Sequence, residues 1–223
     1  MEQINKAKSI SIWIFIVPFV AINACLIVTT QFHSIIESQQ YRLPNMFPYL
    51  DGQASISRTA RFFPTYWIFK PAMFLTSYFL IRYWLYNRNI ISFFDSQNRN
   101  IKKFVYFGIA SAIALTIHSI FLGVKFDNDF YKLFRRVIMF VFIIFEIVAQ
   151  AYLVSIFYSF KDKLSNYINN RYLYFKIALV SILIIVAIIS VPIISLPGND
   201  FLGFNLKFFK HGLEWNYFIG VIL

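Results

Sequence analysis

The sequence predicts an all-α fold, a polytopic transmembrane bundle of about six helices that forms one domain over residues 1–223. Three observations carry this. Apolar runs close to bilayer length recur along the chain, and about 20 apolar residues suit a hydrocarbon core of about 30 Å. Hydrophobic residues make up 59% of the chain and charged residues only 14%, with a mean hydropathy of +0.62, far from the composition of a soluble domain. The connections between the runs are too short to fold as separate domains, and a backbone in lipid must satisfy its own hydrogen bonds, which favours helices.

The spans are expected at about 10–31, 65–86, 103–124, 137–159, 174–196 and from 213 onward. Before the first, Lys6 and Lys8 precede an apolar run as in a signal peptide, and Ile22-Asn23-Ala24-Cys25 has the form of a lipoprotein cleavage box. The run from Ile10 to Val28 exceeds a signal core of roughly 7–15 residues and further spans follow, so it reads as a retained helix. Ile10–Gln31 and Tyr174–Leu196 are expected to be nearly continuous, with Pro18 and Pro192 bending them where a backbone bond is lost. In the second span, Lys70-Pro71 reads as a snorkelling lysine beside a proline near the helix start. The sixth has eleven residues after Gly212, about 16 Å of helix, and is expected to be a half-span or to continue past Leu223.

A formal charge of +11 and a pI of 9.7 would point to nucleic acid in a soluble protein. Here Lys and Arg are spread through every connection, many beside an aromatic ring, which suits lipid phosphates; membrane lipids are the expected partners and nucleic acid is not. Tyr66, Trp67, Tyr83, Trp84, Tyr158 and Tyr172 fall near span ends as an interfacial belt. Eleven of the 21 Lys and Arg residues lie on the N-terminal side of the spans, in the shorter connections, and this places both termini in the cytoplasm. Richness in Ile, Asn, Lys and Phe points to an AT-rich bacterial genome, hence the bacterial inner membrane. The longest loop, about 32–64, then faces outward. Pro44, Pro48, Gly52 and Pro64 interrupt it, and Phe47, Tyr49, Phe62 and Phe63 give it apolar surface to lie on the helix ends.

Among residues with chemical potential, Glu146 stands out as an acid deep in the fourth span, with Gln150 one turn along the same face. It reads equally as a packing device and as a group that handles a proton or ligand. His33, His118 and His211 all map to the outer half, with Glu214 three residues after His211. They lack HxxxH spacing, and the single cysteine, Cys25, excludes an internal disulfide, so no metal or cofactor is expected. Ser55, Ser57 and Thr59 lack a GxSxG context, no phosphate loop or arginine ladder is present, and Asn23 and Thr29-Thr30 read as helix-packing groups. Arg58 and Arg61 suit phosphate at a membrane surface.

Pro48-Tyr49-Leu50-Asp51-Gly52 after the first span resembles the first-loop pattern of the FRAG/DRAM/SFK family of six-span membrane proteins. Glu214-Trp215 resembles that family's Glu-Trp pair at the sixth span, and Gln150-Ala151-Tyr152 its glutamine-bearing fourth span. The chain departs from the pattern at Ser55 to Arg61, and Glu146 and Arg135-Arg136 have no counterpart in it. The resemblance implies six spans, cytoplasmic termini and a lipid-related role, and it does not imply an enzyme. The expected function is therefore binding of a lipid headgroup or small amphiphile at the outer face by Asp51, Arg58, Arg61, His118, His211 and Glu214, with Trp215 anchoring the sixth span. Glu214 is expected in the first turn of that helix, where an acid complements the dipole, with Arg58, Arg61 or His118 as partner. A proton-coupled transporter using Glu146 and Gln150 is the alternative, and an intramembrane metal hydrolase using the histidines is a third; the oligomeric state is left open.

Overall fold

A computed structural model of the chain describes residues 2–36, 39, 42–95, 97–124, 128–164, 167, 169–195, 200–201 and 204–223. Long helices dominate it because, inside lipid, a helix satisfies its backbone hydrogen bonds within its own segment. In chain order they are α1 (Glu2–Gln31), a 3-10 turn (His33–Ile35), α2 (Pro48–Asp51), α3 (Ile56–Ala60), α4 (Thr65–Phe94), α5 (Asn100–Phe121), α6 (Asp129–Ser159), α7 (Lys161–Leu164), α8 (Asn170–Ser195) and α9 (Leu206–Ile222). A short antiparallel ladder, β1 (Asp200–Phe201) with β2 (Phe204–Asn205), precedes α9.

The long helices pack as neighbours in sequence: α1 on α4, α4 on α5, α5 on α6 and α6 on α8, while α9 closes the bundle against α1, α6 and α8. Four of them are long and apolar enough to cross a membrane: Glu2–Gln31, Asn100–Phe121, Leu133–Ser159 and Asn170–Ser190. Their outward faces are apolar too. Ile182, Ile185, Ile188 and Ile189 on α8 are each more than half exposed, a surface that water would not tolerate and lipid does. The chain is thus a predominantly helical integral membrane protein. The expected second span is a 30-residue helix that carries Lys70, Arg82 and Arg88 and falls outside that apolar class, and α9 has 17 residues.

Two expectations change and one holds. The sixth helix begins at Leu206 and not near 213, because the polar stretch through Lys210 and His211 is helical and packs on the loop. The expected continuity holds: α1 runs unbroken through Pro18, and α8 runs on to Ser195; Leu196, the expected end of the fifth span, lies outside the described residues. Trp84 is not interfacial. It is fully buried in the core, where α4 extends ten residues past it to Phe94, and a Cβ added at Gly108 of α5 would stand 2.4 Å from its ring. Gly108 therefore makes the room that the indole occupies.

The loop at 42–64 is ordered by short helices that dock on the end of α9, here called the loop end of the bundle. Pro48 starts α2, where its missing donor costs nothing, and Gly52 ends it in the left-handed region at φ 60°. Gly52 is also required for contact, since a Cβ there would lie 1.8 Å from the Phe208 carbonyl oxygen of α9. Ser55 caps α3, its Oγ accepting from Arg58 N–H at 3.2 Å. Near this end, buried Cys25 of α1 donates through Sγ to the Thr65 carbonyl at 3.4 Å, tying α1 to the start of α4.

Candidate functional site

Two clusters of polar groups emerge. The first is at the loop end, where Trp215 organises α2 and α9. Its indole is fully buried, donates through Nε1 to the Ala54 carbonyl at 2.8 Å, and meets the Tyr49 ring edge-on at 4.9 Å between centroids. Tyr49 in turn donates to Asn23 Oδ1 of α1, and Asn216 Nδ2 donates to the Tyr49 carbonyl. His211 donates from Nδ1 to the Gly52 carbonyl at 3.0 Å. The Pro48–Gly52 segment and the Glu214-Trp215 pair, far apart in the chain, thus form one contact.

Glu214 is the ninth residue of α9, so it does not cap its own helix. Its carboxylate instead meets the backbone N–H groups of Ser57 and Ile56 at the start of α3, with the Arg61 guanidinium adding attraction. Residues from another segment hold it, and Arg61 is among the partners that the sequence named. Arg61 is also fastened to its own helix, donating from Nε to the Ser57 carbonyl and from Nη2 to Ser57 Oγ. Asp51 is taken up locally: its two oxygens accept from Phe47 N–H at 2.8 Å and Gln53 N–H at 3.0 Å, closing α2. Arg58 differs. It is half-buried beside His211, and its guanidinium has no acceptor among the described residues.

His118 and His33 do not join this cluster. His118 is buried on α5 against Arg135 of α6, its Nδ1 unpartnered among the described residues, and His33 donates from Nε2 to the Leu43 carbonyl at 2.8 Å. Among the described residues no three His, Cys, Asp or Glu side chains are placed to hold a metal.

The second cluster is inside the bundle. Glu146 is 2% exposed and faces the interior, as a transporter reading requires. Ser111 Oγ of α5 donates to its Oε2, and Gln150 Nε2 donates both to its Oε1 at 3.2 Å and to the Val221 carbonyl of α9 at 2.8 Å. The Trp84 indole N–H points toward the same carboxylate but stops short of a hydrogen bond. Lys176 of α8 lies within Coulombic reach of it. The sequence signalled Glu146 and Gln150 through their depth in an apolar run, whereas Ser111 and Lys176 carried no such mark. Ser111 is a small residue of the kind that packs helices, and Lys176 stood at a span end where a lysine is ordinary.

No family model matches the chain, and neither a curated protein nor a solved structure is found to be similar to it. Function is therefore read from these two clusters alone. The loop-end cluster can recognise an anion with Arg58 beside a rigid platform, and the interior cluster can hold charge in a dry setting.

Proposed function

We propose that this is an integral membrane protein of six spans, α4 and α9 included, with both termini in the bacterial cytoplasm, and that it binds a lipid headgroup or small amphiphile at its outward-facing loop end. It acts on this reading as a lipid binder or organiser of the FRAG/DRAM/SFK kind, without a catalytic step. The observation that carries the reading is Arg58, a half-buried guanidinium with no acceptor among the described residues, in a helix docked at one end of the bundle. Arginine presents a planar fork of donors that matches a phosphate or carboxylate oxygen pair. His211 and the Arg61–Glu214 contact lie beside it on α9 and α3. Asp51, expected as a ligand, has a structural part on this reading, since backbone donors already occupy both its oxygens.

The test is lipid retention by the purified protein, read by native mass spectrometry with phosphatidylglycerol and phosphatidylcholine in equal amount. Phosphatidylglycerol should be retained preferentially, and Arg58→Ala should weaken that preference by roughly tenfold, the worth of a charged hydrogen bond. Equal retention of the two lipids, or an Arg58→Ala protein that retains phosphatidylglycerol as well as the parent, would end the proposal.

A further inference from the structure

Away from the loop end lie two adjoining, half-open cavities, the larger among α4, α6 and α8 and the smaller reaching α1 and α9 as well. The larger, about 130 Å³, has apolar walls that include Leu153, Phe157 and Leu173, with Lys176 at its side. The smaller, about 40 Å³, shares Tyr83, Gln150 and Lys176 with the first and reaches Glu146. An apolar cavity of about 150 Å³ takes a molecule the size of benzene, so the larger space suits about six heavy atoms. The Lys176 ammonium, between the two, has no hydrogen-bond acceptor among the described residues, while the nearby Glu146 carboxylate already receives donors from Ser111 and Gln150.

We propose that the larger cavity is a binding site for a short alkyl carboxylate of about six heavy atoms, with its carboxylate on Lys176 and its tail against Leu153, Phe157 and Leu173. Binding brings a proton with it. One ammonium balances one anion against the apolar walls of a half-open cavity, and a second anion beside the buried Glu146 would leave an uncompensated charge. Glu146 therefore takes a proton from water as the ligand enters, and neutral carboxyl, ammonium and bound carboxylate remain. The groups that face Glu146 from the packed helices are Ser11 of α1, Tyr83 and Trp84 of α4, Ser111 of α5, Gln150 of α6, Lys176 of α8 and the Val221 region of α9. Of their side chains only Tyr83 and Lys176 titrate, and only Lys176 is cationic; Leu223, which carries a main-chain carboxyl and also lines the smaller cavity, is exposed. The site is independent of the headgroup proposal.

The experiment is calorimetry on the full chain in phosphatidylcholine nanodiscs, with butanoate as probe, butylammonium as the cationic control and palmitate as the lipid-derived arm. Butanoate should bind saturably, with affinity rising up to tenfold for each unit that the pH falls from neutral. Glu146→Gln should flatten that dependence, Lys176→Met should weaken binding at least tenfold, and Lys176→Arg should retain it. Leu153→Trp, which fills the cavity without touching the charges, should abolish it and stands in if Lys176→Met fails to fold. Competition by short chains alone would support the site, whereas tighter competition by palmitate, far too long for the cavity, would show that the cavity does not set the ligand and would overturn the proposal. Equal binding of butylammonium, full affinity in Lys176→Met or Leu153→Trp, or no saturable butanoate binding would overturn it.

Discussion

Trp215 shows how one side chain can fasten a loop to a helix. Its ring is fully buried, its single donor is satisfied by Ala54, and the Tyr49 edge covers one side. Trp215→Ala should cost about 3–5 kcal/mol, the usual range for an aromatic core truncation. Trp215→Phe should cost less, about 1–3 kcal/mol, because much of the area survives while the Ala54 carbonyl loses its partner. Thermal unfolding in detergent would measure both, and a Phe variant as unstable as the Ala variant would show that the hydrogen bond, and not the packing, dominates. Glu214 teaches the complementary lesson. Its neighbour Trp215 and the polar residues before it looked like a helix start, but the start is at Leu206, and the acid's true task is at the N-terminus of α3. That distinction was not legible in the sequence, because Lys207, Lys210 and His211 are as common in a connection as on the exposed face of a helix.

The elements that docking joins are held by backbone contacts that tolerate no side chain. Gly52 combines a left-handed φ with a carbonyl 1.8 Å from where a Cβ would be, so Gly52→Ala must both strain α2 and push α9 away at Phe208. The expected result is faster proteolysis within 42–64 and a lowered melting temperature, while helix content by circular dichroism stays unchanged. Unaltered proteolysis would mean that the loop is held elsewhere. The long helices themselves were readable from apolar run length, and so was the acid at 146. Trp84 was not: the Tyr83-Trp84 doublet next to Arg82 has the composition of an interface, and only the space left by Gly108 on a different helix sends the indole inward. Lys176 escaped for the same reason, since its meaning depends on a cavity formed by other helices.

For the whole molecule, the alternation of helices sets which connections share a side. The residues around Gln53 and those around Gln97 lie at opposite ends of α4, a helix of 30 residues and roughly 45 Å. Both glutamines are exposed. A membrane-impermeant maleimide should therefore label Gln53→Cys in intact cells and Gln97→Cys only after the membrane is opened. Labelling of both from one side would remove α4 from the spans. The four tryptophans divide along the same lines as the packing. Trp13 and Trp67 are 50% and 66% exposed on the apolar exterior, whereas Trp84 and Trp215 are shut inside. The native fluorescence is consequently a sum of two populations, one on the outer surface of the bundle and open to quenchers carried by lipid, the other shielded from them and sensitive to the interior.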